Sequence, residues 1–305
     1  MSMENIKIGT RNSPLALWQA REVARELQNR NITTEITPIS SSGDKNLDQP
    51  LYQMGITGIF TKDLDVALLN SQVDIAVHSL KDIPTQLPEN LEIVTYLKRD
   101  YHQDVLVRKE SSKHKPLHEL KIATSSLRRR AFWLKEFPNT EFCDIRGNVQ
   151  TRLSKLEEED FDATIFSLAG LKRMKYNVEY EELPMMICAP SQGVIAVTGH
   201  QENTPLNTIM NGISDEETKI CVDIERNFLR TLEGGCTAPI GAFAQFLDGE
   251  IRFEGRICSL DGQNCIEIDK IFPYSPEINH GNELAVEILQ NGGREIMAAI
   301  RSAMK

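Results

Sequence analysis

The apolar positions of the first two thirds of the chain alternate between two rhythms. Ile6-Lys7-Ile8-Gly9 reads as a strand, and from Ser13-Pro14 to about Arg30 the apolar residues recur at three- and four-residue steps. A helix is predicted there, with Ser13 as N-cap and Pro14 at its first position, where the missing N–H costs nothing. Thr33 to Ile39 predicts a second strand, Phe60 to Asn70 a helix, and Asp74-Ile75-Ala76-Val77 a buried strand. The polar, glycine-containing stretch from Ser40 to Gly58 is too long for an ordinary connection and is expected to be a functional, mobile lid. After Arg99 the alternation resumes. Strands are predicted at 105–107, 122–123, 141–143 and 163–166, with helices near 127–135, 149–159 and 168–174. Strands and helices alternating at this spacing imply parallel sheets covered by helices. From about Asp215 the pattern changes to one helix, Ile220 to Leu232, three strand-like runs (240–247, 250–260, 264–272) and a final helix from about Asn282. That grammar fits a smaller α+β unit.

Composition narrows the class. With 305 residues, 40% hydrophobic and 26% charged, the chain is an ordinary soluble globular sequence long enough for two or three domains. It has no apolar run of the roughly 18 residues a membrane helix requires. Met1 to Asn5 lacks the basic and apolar blocks of a secretory signal. The six cysteines (143, 188, 221, 236, 258, 265) show neither CxxC spacing nor a small-domain framework, so reduced thiols and a cytoplasmic location are expected. A net charge of −10 argues against nucleic acid as a partner.

Against that acidic total, residues 121–176 hold eleven Lys and Arg and only eight Asp and Glu, a local excess of three positive charges. Their placement matters more than their number. Thr124-Ser125-Ser126-Leu127-Arg128-Arg129 sets hydroxyls and arginines at a strand-to-helix turn, Ile145-Arg146-Gly147-Asn148 does so at the next, and Arg152 follows within that second helix. Helix N-termini offer free N–H groups and a positive dipole end, and arginine binds carboxylates through two parallel hydrogen bonds. Any one of these arginines could simply sit on a solvated helix face. Gathered at successive turns, they predict a pocket for a ligand with several carboxylates or phosphates. In Val77-His78-Ser79-Leu80-Lys81-Asp82-Ile83-Pro84 a buried strand runs directly into Lys81 and Asp82. Asp82 suits a general acid/base or the counter-ion of a cationic intermediate, the plainer alternative being a helix cap paired with Lys81. His78, inside the apolar run, reads as a hydrogen-bonded core residue. Cys236 stands in Leu232-Glu233-Gly234-Gly235-Cys236-Thr237-Ala238-Pro239, after glycines that stop a helix. A cysteine on such a loop is sterically free to carry a covalent group, although lone cysteines are more often inert packing. No metal site is expected: His114 and His118 are separated by the helix-breaking Pro116.

Six stretches, taken in order, are similar to the motifs of the porphobilinogen deaminase (hydroxymethylbilane synthase) family. They are Gly9 to Leu17, Asp74 to Pro84, Thr124 to Arg129, Arg146 to Arg152, Ala169 to Arg173, and the Cys236 loop. The resemblance covers nearly the whole chain. It implies an α/β fold of two periplasmic-binding-protein-like lobes with mixed, mostly parallel sheets, plus a smaller α+β C-terminal domain. Domain 1 would be 1–98 with 192–214, domain 2 99–191 and domain 3 215–305. It also implies a cytoplasmic, monomeric transferase of haem and porphyrin biosynthesis that joins four porphobilinogen molecules head to tail, releasing ammonia, into hydroxymethylbilane. Its primer would be a dipyrromethane cofactor held by a thioether to Cys236, and its catalytic carboxylate Asp82. Arg11, Ser13, Lys81, Ser126, Arg128, Arg129, Arg146 and Arg152 would bind the cofactor, and Arg11, Arg146, Arg152, Arg173 and Gln192 the substrate. The chain departs from the family pattern where lysines are usual, at Gln53 and Thr57, where glycine is common, at Ala123, Gln150 and Ser191, and where a basic residue is common, at Gln103. The competing reading is a non-enzymatic two-lobed binding protein for a polycarboxylate, which explains the arginines but gives Cys236 and Asp82 no task.

Overall fold

Ser13 caps the first helix as its position before Pro14 dictates: its hydroxyl accepts from the Ala16 N–H at 3.3 Å. The computed structural model describes residues 5–40, 61–232 and 238–303. The first unit comprises β1 (Ile6–Arg11), α1 (Pro14–Gln28), β2 (Thr34–Ile39), α2 (Lys62–Leu69), β3 (Ile75–Ser79) and β4 (Leu91–Tyr96). The second comprises β5 (Asp104–Arg108), β6 (Ile122–Ala123), α3 (Leu127–Glu136), β7 (Phe142–Cys143), α4 (Val149–Glu158), β8 (Ala163–Ser167), α5 (Leu168–Arg173) and β9 (Glu181–Glu182). The chain then returns through β10 (Ile195–His200) and α6 (Thr204–Asn211). It ends with α7 (Glu216–Thr231), β11 (Ile240–Leu247), β12 (Glu250–Cys258), β13 (Cys265–Pro273), α8 (His280–Ile288) and α9 (Arg294–Ala303).

The two five-stranded sheets share one plan. Their orders are β2-β1-β3-β10-β4 and β7-β6-β8-β5-β9. In the first, β1, β2 and β3 run parallel, β10 pairs antiparallel with β3, and β4 pairs antiparallel with β10. In the second, β6, β7 and β8 run parallel, while β5 is antiparallel to both β8 and β9. Each sheet therefore has one reversed strand among four that point the same way, and in each the reversed strand comes from a segment that crosses between the units. β4 and β10 are not predicted by the sequence pattern. Ile195, Ala196, Val197 and Thr198 are buried in a row, so β10 has no exposed face to betray its period.

Each sheet buries its own core. Ile8, Ile75, Val77 and Val197 meet Ala20, Val23 and Leu27 of α1 in the first lobe. Leu106, Ile122 and Ile165 meet Phe132 and Trp133 of α3 in the second. The C-terminal unit is an antiparallel meander, β11-β12-β13. Phe253 packs edge-on against Phe228 of α7, with ring centroids 5.0 Å apart. Among the described residues no helix is long and apolar enough to cross a membrane.

One expectation is overturned. Cys258 and Cys265 form a disulfide with a Cα–Cα distance of 4.1 Å, so the thiols are not all reduced. The two residues face each other as the last pair of the β12–β13 hairpin. Seven-residue spacing reveals this only once the hairpin register is known. Cys143, Cys188 and Cys221 are free, with burial raising the thiol pKa of each.

Buried His78 behaves as the apolar run around it predicts. Its Nε2 lies 3.2 Å from Thr198 Oγ1 across the β3–β10 pair, and burial, aided by the Arg11 charge, lowers its pKa from 6.5 to about 3. Between those two values the unfolded chain binds a proton that the folded one does not, so this residue costs stability as the pH falls below 6.5. At pH 5 the cost is about 2 kcal/mol. Urea unfolding at pH 7 and pH 5 checks this: His78→Asn is expected to reduce the acid-induced loss by about that amount, and an unchanged loss would remove His78 as its source.

Candidate active site

The C-terminal ends of the parallel strands carry the site residues, because there the backbone leaves the sheet and its side chains face the gap between the lobes. From the first lobe, Arg11, Ser13, Gln19, His78, Ser79 and Asp82 line a small cleft of about 60 Å³. Asp82 closes a single 3₁₀ turn, Leu80–Asp82, directly after β3. Among the described residues neither a backbone N–H nor a side chain hydrogen-bonds to its carboxylate, so it caps no helix there. Its charge is nevertheless felt by Lys81 and by Arg152 of the opposite lobe.

Lys81 turns inward. Its Nζ donates to Gln192 Oε1 at 3.0 Å. Gln192, fully buried on the returning crossing, donates from Nε2 to His102 O at 2.7 Å and to Asp104 Oδ1 at 3.1 Å. Asp104, at the start of β5, is the hub that the sequence does not reveal. Arg128 Nη1 donates to its Oδ2 at 2.7 Å, and Arg129 Nη2 to its Oδ1 at 2.7 Å. Burial works to raise the Asp104 pKa, yet Arg128, Arg129 and their hydrogen bonds outweigh it and hold the carboxyl well below the usual range.

Arg129 is wholly engaged: its Nε also reaches Asp104, and its Nη1 donates to Ile165 O at 2.7 Å. Arg128 gives the same nitrogen, Nη1, to Asp104 and to Ile187 O. Ser126 caps α3 by accepting from the Arg129 N–H at 3.4 Å, so hydroxyl and arginines are fixed by one helix start. Arg152 donates from Nε to Gly147 O at 2.9 Å, next to Arg146. Burial, then the Arg129 and Arg146 charges, lower Arg152 to about 10 against the opposing pull of Asp82. Burial, then Arg129, lowers Lys81 to about 8.

Arg173 stands apart. It donates to Asp100 Oδ2 at 3.3 Å and to Gly193 O at 2.6 Å, with its guanidinium 5.7 Å from the centre of the Trp18 ring. It thus joins α5 to both crossings and to α1. The two crossings also meet in fully buried Glu225 of α7, which accepts from Arg99 Nη1 at 2.8 Å, the Ser191 N–H at 2.6 Å and the Ala244 N–H at 2.7 Å. Ser191 sits at φ +68°, the left-handed region that favours glycine. Cys236 and the connection at 41–60, with Gln53 and Thr57, lie outside the described residues.

The cluster sets Arg11, Lys81, Arg128, Arg129, Arg146 and Arg152 against Asp82 and Asp104. Cations that depress one another's pKa values in a half-buried cleft are relieved by a ligand bearing several carboxylates, so the residues present fit such a group. Among the described residues no group of three or more His, Cys, Asp or Glu could hold a metal ion. Fold and site together define a two-lobed α/β protein whose cationic cleft holds Asp82, a carboxylate with no hydrogen-bond partner among the described residues.

Comparison with known proteins gives that class a family. Residues 6–208 match the model of the porphobilinogen deaminase dipyromethane cofactor binding domain, and residues 219–290 that of the porphobilinogen deaminase C-terminal domain. The chain belongs to the porphobilinogen deaminase family. The porphobilinogen deaminase of Desulforamulus reducens is 39% identical, covering 97% of this chain and 98% of its own. That of Cytophaga hutchinsonii is 39% identical over 99% and 98% of the two chains. Among solved structures, an ancestral arginine-binding protein bound to arginine aligns with 72% of this chain and 94% of its own, at 14% identity and a TM-score of 0.39. The second substrate binding domain of a putative amino acid ABC transporter from Streptococcus pneumoniae aligns with 68% and 91%, at 12% identity and a TM-score of 0.44.

Proposed function

We propose that this chain is a hydroxymethylbilane synthase: a transferase that joins four porphobilinogen molecules head to tail for tetrapyrrole biosynthesis. The observation that carries the reading is the family match over both parts of the chain, joined to a cleft in which cations outnumber carboxylates around Asp82. Each condensation forms one carbon–carbon bond from the substrate's aminomethyl carbon to the free α-carbon of the preceding pyrrole. The bond from that carbon to its amino nitrogen breaks, the nitrogen leaving as ammonia, and the displaced α-hydrogen leaves as a proton. Cys236 would hold the dipyrromethane by a thioether, and that group would supply the first free α-carbon.

The side chains have distinct tasks in this reading. Arg11, Ser13, Lys81, Ser126, Arg128, Arg129, Arg146 and Arg152 hold the cofactor's acetate and propionate groups. Arg128 keeps a second terminal nitrogen for a ligand, whereas Arg129, with its nitrogens committed to Asp104 and Ile165, acts through its charge. Arg11, Arg146, Arg152, Arg173 and Gln192 receive the substrate's carboxylates, for which Arg173 must exchange its bond to Asp100. Asp82 stabilises positive charge on a pyrrole nitrogen and moves the proton. The proposed domains are 1–98 with 192–214, 99–191 and 215–305. The placement of β10 in the first sheet supports the first boundary. A cytoplasmic monomer completes the proposal.

Intact mass and product formation test it. The wild-type protein is expected to exceed its sequence mass by two linked pyrrole units and to release hydroxymethylbilane from porphobilinogen. Cys236→Ser is expected at the bare sequence mass, with no turnover. An unmodified, fully active Cys236→Ser protein would remove the covalent primer from the account. An unmodified wild type that binds polycarboxylates without turnover would return the binding-protein reading.

A further inference from the structure

We infer that Arg226 of α7 is a positioning residue for Asp82, holding the backbone that presents the carboxylate. This rests on the catalytic reading of Asp82 given above. The turn that carries Asp82 is fixed on its N-terminal side by the sheet: Ser79 pairs with Ile195, and the Leu80 N–H donates to Val194 O at 3.0 Å. On its C-terminal side the sheet offers nothing. Ile83 N–H closes the turn onto Leu80 O at 3.1 Å, and Pro84 has no N–H to give. The carbonyls of these two residues point to one guanidinium. Arg226 Nη1 donates to Ile83 O at 3.1 Å, and Nη2 to Pro84 O at 2.6 Å.

The same helix supports this contact with apolar packing. Buried Ile83 lies in one cluster with Leu80 and with Val222, one turn before Arg226. The carboxylate itself has no hydrogen-bond partner among the described residues, so its position is set by its backbone and not by its own contacts. A backbone held only at its N-terminal end leaves Asp82 free to swing. The fork from Arg226 removes that freedom, because two parallel hydrogen bonds to successive carbonyls fix direction as well as distance. The helix that supplies the fork also leads along the chain to Cys236, so Arg226 ties the carboxylate to the element that precedes the attachment residue.

Kinetics, intact mass and thermal melting of Arg226→Gln, Arg226→Lys, Asp82→Glu and the double variant Asp82→Glu/Arg226→Gln test the inference. Arg226→Gln is expected to carry the cofactor mass and keep KM within about twofold, while kcat falls about tenfold, the scale of a small misplacement of a reacting group. Arg226→Lys, whose ammonium reaches one carbonyl in place of two, is expected to recover part of the loss. With Asp82 already displaced by glutamate, Arg226→Gln is expected to slow turnover by less than about twofold, since coupled residues are not additive. Wild-type kcat in Arg226→Gln, or the same tenfold fall in both backgrounds, would overturn the inference. If Arg226→Gln does not accumulate as folded protein, Arg226→Lys decides: a lower kcat at constant KM supports the role, and an unchanged kcat overturns it. Normal turnover in Asp82→Asn would instead remove the catalytic reading, whatever the Arg226 variants do.

Discussion

Asp82→Asn is expected to fold, to bind porphobilinogen and to turn over at least about a hundredfold more slowly than the wild type, the scale set by removal of one preorganised electrostatic partner. The substitution keeps the shape and volume of the side chain and removes its charge. When ammonia departs from the substrate, the electron-poor carbon left behind shares positive charge with its ring nitrogen. A carboxylate near that N–H stabilises the charge, and it can carry a proton away once the new bond has formed. An amide can do neither. The effect is confined to chemistry, because no side-chain hydrogen bond within the described residues is lost with the charge. Asp82→Glu keeps the charge but displaces it by one methylene, so slow turnover with an intact cofactor is expected. Steady-state kinetics and intact mass of both variants check this, and near-normal turnover in Asp82→Asn would move the catalytic acid elsewhere.

The second large effect is on stability. Asp104→Ala is expected to destabilise the folded protein by about 3–5 kcal/mol, the cost of leaving a buried charge without its partner. Asp104 is 1% exposed and is the shared acceptor of two guanidinium groups that are themselves 6% and 7% exposed. Without the carboxylate, Arg128 and Arg129 face each other with only the carbonyls of Ile187 and Ile165 as acceptors among the described residues. Gln192 also loses an acceptor, and through it the orientation of Lys81 is released. Asp104→Ala is therefore expected to shift the denaturant midpoint strongly and to lower cofactor occupancy. Replacing both arginines by leucine together with Asp104→Ala should recover part of the stability and none of the activity. A loss below about 1 kcal/mol in Asp104→Ala would show that solvent or rearranged partners screen the pair, as they do at exposed sites.

These two residues also mark the limit of what the chain reveals before its structure. Asp82 can be singled out as a candidate because it follows a buried strand inside a motif, and Ser13 is legible as an N-cap because a hydroxyl before Pro14 has a local task. The α1 and α7 helices follow from their apolar period, and the C-terminal meander from its three strand-like runs. Asp104, Gln192 and Glu225 were not legible as hubs. Each is a single polar residue whose partners lie on elements distant in sequence, so no local spacing identifies them. β4 and β10 escaped for a related reason: strands recruited from the crossings owe their state to the sheet that receives them. The Cys258–Cys265 bridge depended on hairpin register, which cysteine counting does not supply. Ser191, where the resemblance implies glycine, adopts a positive φ, a backbone conformation that glycine takes without strain.

Glu225 has a consequence for the way the molecule can work as a machine. One carboxylate on α7 grips Arg99 on the outgoing crossing and the Ser191 amide on the returning one, and its third bond reaches β11. The axle of any opening and closing of the lobes is thus clamped to the C-terminal unit, and neither lobe owns it. A rotation of one lobe against the other about these crossings would leave the C-terminal unit attached to both of them. In the proposed reaction, a chain growing from Cys236 would then be moored to the unit that both crossings share, while the cleft walls belong to the lobes.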